Sequence, residues 1–143
     1  MHIYDDSGSR MAAAVDRAYG ARAMLIEGAL FRVADINSAQ YFGGTWAFVA
    51  NDDGTLGFWY PTGRDTYAVE CENYFSHEAM DARSFGAACT LTALNYTIWD
   101  LHAKGNDISA LSDQFHRLRH WIYDLGEGTE PFIDTGAVAG FTD

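Results

Sequence analysis

The chain has 143 residues, 48% hydrophobic and 20% charged, which is the size and balance of one folded domain that can bury about two-thirds of its unfolded surface without disulfides or metal. Twenty Asp and Glu face nine Lys and Arg, for a formal charge of −11. That sign repels nucleic-acid phosphates and anionic membranes, and so argues against direct binding to either; it allows a basic protein partner, or simple solubility.

Residues 1–10 are polar with Gly and Ser, and are expected to form a loose end. They lack the basic start and apolar centre of an export signal, and no apolar run in the chain approaches the ~18 residues of a membrane span. Cys71 and Cys89 are therefore expected as reduced core thiols of a cytoplasmic protein. From Arg10 to Ala23, Met11, Val15, Ala18 and Arg22 fall at helical spacing, ending near Gly20. A second helix is expected from about Ala29 to Ala39, with Leu30, Val33 and Ala34 on one face and Gly43-Gly44 beyond its end.

The period then changes to two. Trp46, Phe48 and Ala50 alternate with Thr45, Ala47 and Val49, and Asn51-Asp52-Asp53-Gly54 is a strong turn signal. Leu56 to Tyr60 reads as the returning strand, closed by Pro61-Thr62-Gly63. Tyr67, Val69 and Cys71 alternate with Ala68, Glu70 and Glu72, the pattern of an antiparallel strand with one wet face, and a short fourth strand is expected at Tyr74–His77. Asp81 is placed as N-cap of a long helix running to about Lys104 and stopped by Gly105, apolar over most of its circumference and hence central. The last helix starts near Asp107 or Ser109 and ends before Gly126, with Leu111, Phe115, Leu118, Ile122 and Leu125 as its buried stripe. Phe132-Ile133 docks, and residues from about 135 to 143 are expected to be loose. The fold class is α+β: a small antiparallel meander of three to four strands, flanked by N-terminal helices and two longer C-terminal helices, in one domain spanning 1–143.

Several residue groups invite a chemical reading. His116 and His120, four apart with Asp113 one turn earlier, have the spacing of a metal pair, but Arg117 and Arg119 beside them repel a cation, and Arg117 pairs with Asp113 at i,i+4. A solvated helix face is the better account. His77, Glu78 and Asp81 sit where strand passes to helix, where acids serve helix starts. Cys89 lies mid-helix among Ala87, Ala88 and Thr90, the setting of an inert thiol. Glu70 and Glu72 have the chemistry of a glycosidase pair, but no sugar-binding aromatic cleft can be traced. Phosphate loops, dinucleotide fingerprints, nucleophile elbows and zinc motifs are absent from the sequence, so binding is expected to be the protein's work, with no catalytic residue, metal or cofactor.

Tyr41-Phe42-Gly43-Gly44-Thr45-Trp46-Ala47-Phe48 resembles the Y-x-G-G-x-W-x-F signature of the ArdB/KlcA antirestriction family of plasmids and other mobile elements. The resemblance continues in order through Phe58-Trp59-Tyr60-Pro61, Met80-Asp81-Ala82, Phe85-Gly86-Ala87-Ala88-Cys89, Asn95-Tyr96, Phe115-His116-Arg117-Leu118-Arg119 and Phe132-Ile133-Asp134. The chain departs from the pattern at Trp121-Ile122-Tyr123 and Gly126-Glu127-Gly128. Within the signature, Tyr41, Gly43, Gly44, Trp46 and Phe48 are expected to be mainly structural. One glycine should take a positive φ, and Trp46 and Phe48 should pack on the long helix. The resemblance implies a non-catalytic, cofactor-free blockade of host type I restriction endonucleases in the bacterial cytoplasm. Inhibition of another defence nuclease such as CRISPR–Cas is the alternative, and a small enzyme using Cys89, His77 or His116 a more distant one. Glu70, Glu72 and Asp134 are the expected partner contacts.

Overall fold

Trp46, Phe48 and Ala50 do alternate with Ala47 and Val49 in a strand, yet every residue of it is buried, so both faces of this strand are covered. The computed structural model describes residues 1–143. In chain order it contains β1 (His2–Tyr4), α1 (Ser9–Tyr19), a single 3-10 turn (Gly20–Arg22), α2 (Ala23–Asn37), β2 (Trp46–Ala50), β3 (Gly57–Pro61), β4 (Thr66–Glu70), β5 (Ser76–Asp81), α3 (Ala82–Ala103), α4 (Ser109–Asp124) and α5 (Thr135–Thr142). The α+β class stands as expected, with antiparallel strands between N-terminal helices and two longer C-terminal ones.

The strands divide between two sheets: β1-β2-β3, with Tyr4 opposite Phe48 and Phe48 opposite Trp59, and a separate β4-β5 hairpin. The single meander is therefore corrected, and the reason lies at the outer edge of β3. Helix α3 lies along that edge, where the Trp59 N–H donates to Thr90 Oγ1 (3.2 Å) and the same hydroxyl donates back to the Gly86 carbonyl (2.8 Å). The edge is filled by a helix, so β4 cannot pair there. The outer edge of β4 is closed differently. Ala68 donates its N–H to Gln40 Oε1 and accepts at its carbonyl from Ser38 Oγ, both at 2.7 Å.

Aromatic rings define the two faces of the larger sheet. On one, Phe48 and Trp59 meet edge to face at 4.9 Å, and Tyr19 of α1 stacks on Trp59 at 5.1 Å. On the other, Phe58 meets Trp121 of α4 at 5.7 Å. The expectation that Trp46 and Phe48 pack on the long helix is corrected: their ring partners from other elements are Phe31 of α2 and Tyr19 of α1. Helix α3 instead meets the hairpin through Tyr67 stacked on Phe85 at 4.9 Å. One buried cluster of 34 hydrophobic residues connects all of this.

Both ends of the chain are ordered, contrary to expectation. Residues 2–4 pair with the outer edge of β2, which would otherwise leave buried backbone groups unsatisfied, and α1 already begins at Ser9. Residues 135–142 form α5, which buries Ala137, Val138 and Phe141, the last edge-on to Phe85 at 6.1 Å. The second helix starts at Ala23, not Ala29, because the Gly20–Arg22 turn carries the chain from α1 directly into α2. Strand β5 starts at Ser76, later than expected, because residues 71–75 form the hairpin turn. Asp81 caps α3 as read from the sequence, accepting from the Ser84 N–H at 3.0 Å, and Gly105 ends it at φ +82°. No helix is long and apolar enough to cross a membrane.

Candidate functional site

The signature segment leaves α2 and enters β2 through Gly43 and Gly44, at φ +84° and +98°. The sequence pointed to one left-handed glycine and the structure has two. A Cβ at either would meet nothing within 4 Å, so backbone conformation alone requires glycine there. The bend folds Tyr41 back over Trp46: the indole N–H donates to the Tyr41 hydroxyl at 3.0 Å, with the rings edge to face at 5.5 Å. Tyr41, Trp46 and Phe48 are all buried. The signature is thus an internal clip, and its one large side chain turned to solvent is Phe42, 91% exposed.

The three expected contact residues are all exposed, but they do not converge. Glu70 ends β4, and Glu72 lies in the turn of the hairpin and not on its strand face. Asp134 is the N-cap of α5: its carboxylate accepts from the Ala137 N–H at 3.1 Å, and its own N–H donates to Ser84 Oγ at 2.8 Å. The hairpin turn meets the opposite end of α5, where Asn73 Nδ2 donates to the Gly140 carbonyl at 3.0 Å. The eight residues of α5, about 12 Å of helix, therefore separate Asp134 from the Glu72 turn.

The groups weighed for catalysis or metal binding are engaged otherwise. Asp113 lies 3.8 Å from Arg117, and His120 3.7 Å from Asp124, each pair along its own helix on the exposed side of α4. His77 Nδ1 accepts from the Ala79 N–H at 3.1 Å. Burial pushes the Cys71 thiol up to about 11 and the Cys89 thiol well above its ordinary value. Neither is a thiolate at neutral pH, and the thiolate is the nucleophilic form. No three His, Cys, Asp or Glu side chains converge as a metal site.

The largest concavity was not foreseen. It is a groove of about 780 Å³ between the end of α2, the middle of α3, α4, the end of α5 and the β4-β5 turn. Cys71, Glu72 and Tyr74 line its hairpin side, and Ile36 and Tyr96 line its helical side. Asn73 fixes the turn twice over, for its Oδ1 also accepts from the Phe75 N–H at 3.0 Å. That Asx bond spans Tyr74, the only non-glycine residue with positive φ, at +69°. The sequence signal for this is Asn73 itself, a turn residue between the alternating run that ends at Glu72 and the strand expected from Tyr74.

The chain is thus an α+β molecule of helices packed around two small antiparallel sheets, with the aromatic clip joining α2 to β2. The chain is similar to a solved structure of the KlcA and ArdB proteins, described as showing a novel fold and antirestriction activity against Type I DNA restriction systems in vivo but not in vitro. The TM-score is 0.76 at 21% identity, over 99% of this chain and 94% of that one. Residues 39–130, more than half of the chain, match the antirestriction protein family, and the chain belongs to that family. The matched region holds the clip, Glu70, Glu72 and most of the groove, while Asp134 and α5 lie beyond it. No curated protein matches the chain.

Proposed function

We propose that this chain, acting as a single domain in the bacterial cytoplasm, relieves type I restriction by binding a component of the host restriction machinery, without catalysis, metal or cofactor. Membership of the antirestriction family over residues 39–130 carries this reading. The net charge of −11 supports it, since a protein that repels DNA reaches a DNA-handling complex through that complex's own basic surfaces. The protonated thiols and the histidines held along their own elements support a non-catalytic role. KlcA and ArdB are active in vivo but not in vitro. Carried to this chain, that favours a contact requiring a cellular component beyond the restriction enzyme and its DNA.

Glu70, Glu72 and Asp134 are the proposed contacts. The decisive experiment is phage plating, or plasmid transformation, in type I restricting hosts with and without the protein. Relief of restriction is expected, and equal restriction across several type I systems refutes the reading. For the contacts, Glu70→Gln/Glu72→Gln and Asp134→Asn are each measured with a melting curve beside the plating assay. Removing exposed charges changes stability little, so lost relief in a folded variant marks lost recognition. Full relief in both variants removes these residues from the contact.

A further inference from the structure

Tyr74 stands in a conformation that disfavours it and exposes 97% of its surface. Glycine takes a left-handed φ freely, whereas a tyrosine there strains the backbone, and none of its own burial offsets the strain. It lines the groove, and two of the other large exposed apolar side chains line the same groove from different elements: Ile36 on α2, 70% exposed, and Tyr96 on α3, 58% exposed. The strained turn cannot swing away freely, because Asn73 ties it to the end of α5 and bonds across Tyr74.

We infer that this groove is a docking surface for a segment of a protein partner that carries an arginine or lysine side chain next to an apolar one. Two exposed tyrosines lining one groove with the carboxylates of Glu72 and Asp143 are the surroundings in which a cationic side chain gains both ring and charge contacts. Arg119 is the one cation of the lining, and its guanidinium lies over the Tyr123 ring of its own helix at 4.7 Å. Ile36 offers the neighbouring apolar contact, and about 780 Å³ holds several side chains. The same carboxylates, on a chain of charge −11, turn away phosphates, which sets a nucleic acid aside.

The inference names a place and a chemistry for the proposed partner contact, and rests on that reading only for its cellular assay. The first test is independent of it. The blocked peptide acetyl-Leu-Arg-Ile-Arg-amide and its Glu-for-Arg counterpart are titrated into the isotope-labelled protein, and amide shifts are followed by NMR. The Arg peptide is expected to move Glu72, Tyr74 and Tyr96 several-fold more than the Glu peptide does. Equal shifts from both, or none in the groove, overturn the inference. The second test uses Tyr74→Gly, which relieves the backbone and should melt no lower than the parent, together with Tyr96→Ala. Both are expected to weaken the Arg-peptide shifts and to lower relief of restriction at least tenfold. Full relief by both variants, in a host that the parent protein protects, overturns the groove and leaves the proposed function standing. No relief by the parent removes that function, and the peptide titration then decides the groove by itself.

Discussion

Replacing Gly86 with alanine sets two effects of opposite sign against each other. Gly86 lies early in α3, where the helix crosses the edge of β3. A Cβ built there would fall 2.2 Å from the Trp59 carbonyl oxygen and 2.3 Å from the Tyr60 Cα, both backbone atoms that cannot rotate aside. Restoring ordinary contact requires the helix to withdraw by about 1 Å. The 3.2 Å bond from Trp59 N–H to Thr90 then stretches to roughly 4 Å and is lost. Alanine's better helix propensity stabilises by about 1 kcal/mol. Against it stand overpacking at ~1–3 kcal/mol and a buried N–H left without a partner at ~1–3 kcal/mol.

The steric side wins by about 3 kcal/mol, or roughly 10 °C in Tm at about 3 °C per kcal/mol for a chain of this size. Thermal melting by circular dichroism measures it. Gly28→Ala is the control, because Gly28 is an exposed position inside α2 where a Cβ meets nothing within 4 Å. Only the propensity gain acts there, so its Tm should rise by about 2–3 °C. A Gly86→Ala protein that melts at or above the parent temperature refutes the account of α3 as the closure of the β3 edge.

Tyr41→Phe leaves the buried Trp46 indole N–H without its acceptor and should lower stability by about 1–3 kcal/mol, read from the urea midpoint; an unchanged midpoint would show that the clip contributes nothing. Asp134→Ala should cost about 1 kcal/mol through loss of the α5 cap while Asp134→Asn, which can still cap, costs little; equal losses in the two melting curves would contradict the capping role. Native protein treated with iodoacetamide at pH 7.5 should react far more slowly than a free thiol, with Cys71 speeding up toward pH 11 as it ionises and both cysteines reacting in urea. Rapid double alkylation of the native state, seen by mass spectrometry, would contradict the burial argument.

Most of the secondary structure was legible because it rests on local chemistry. The Asn51–Gly54 turn between alternating runs gives the β2-β3 hairpin, and Asp81 and Gly105 bracket α3 as cap and stop. What escaped were segments too short for their pattern to register. His2-Ile3-Tyr4 is three residues, and its partner is nearly fifty positions away in β2. Helix α5 shows only Ala137, Val138 and Phe141 as an apolar face, in a stretch with two glycines, and packing on Phe85 decides its order. The division into two sheets was equally hidden. Four strands in succession read as one meander, and only the small side chains of α3 around Gly86 reveal that a helix comes close enough to occupy the strand edge.

The signature and the groove differ in the same way. Tyr41, Gly43, Gly44 and Trp46 lie within six residues of one another, so their clip is a local structure that a sequence motif can carry whole. The groove takes Ile36 from α2, Glu72 and Tyr74 from the turn between β4 and β5, Tyr96 from α3 and Asp143 from just past α5, and no spacing in the sequence announces that they meet. Burial sharpens the contrast. The clip hides its side chains, so its residues answer to the fold, and their loss is felt first as instability. The groove floor shares Val33, Leu91 and Phe141 with the core, but Ile36, Glu72, Tyr74 and Tyr96 on its rim are exposed, so their loss leaves the fold intact. A substitution that abolishes relief of restriction at an unchanged melting temperature therefore belongs to an exposed contact, at the groove rim or at Glu70 or Asp134, whereas one that lowers both belongs to the clip.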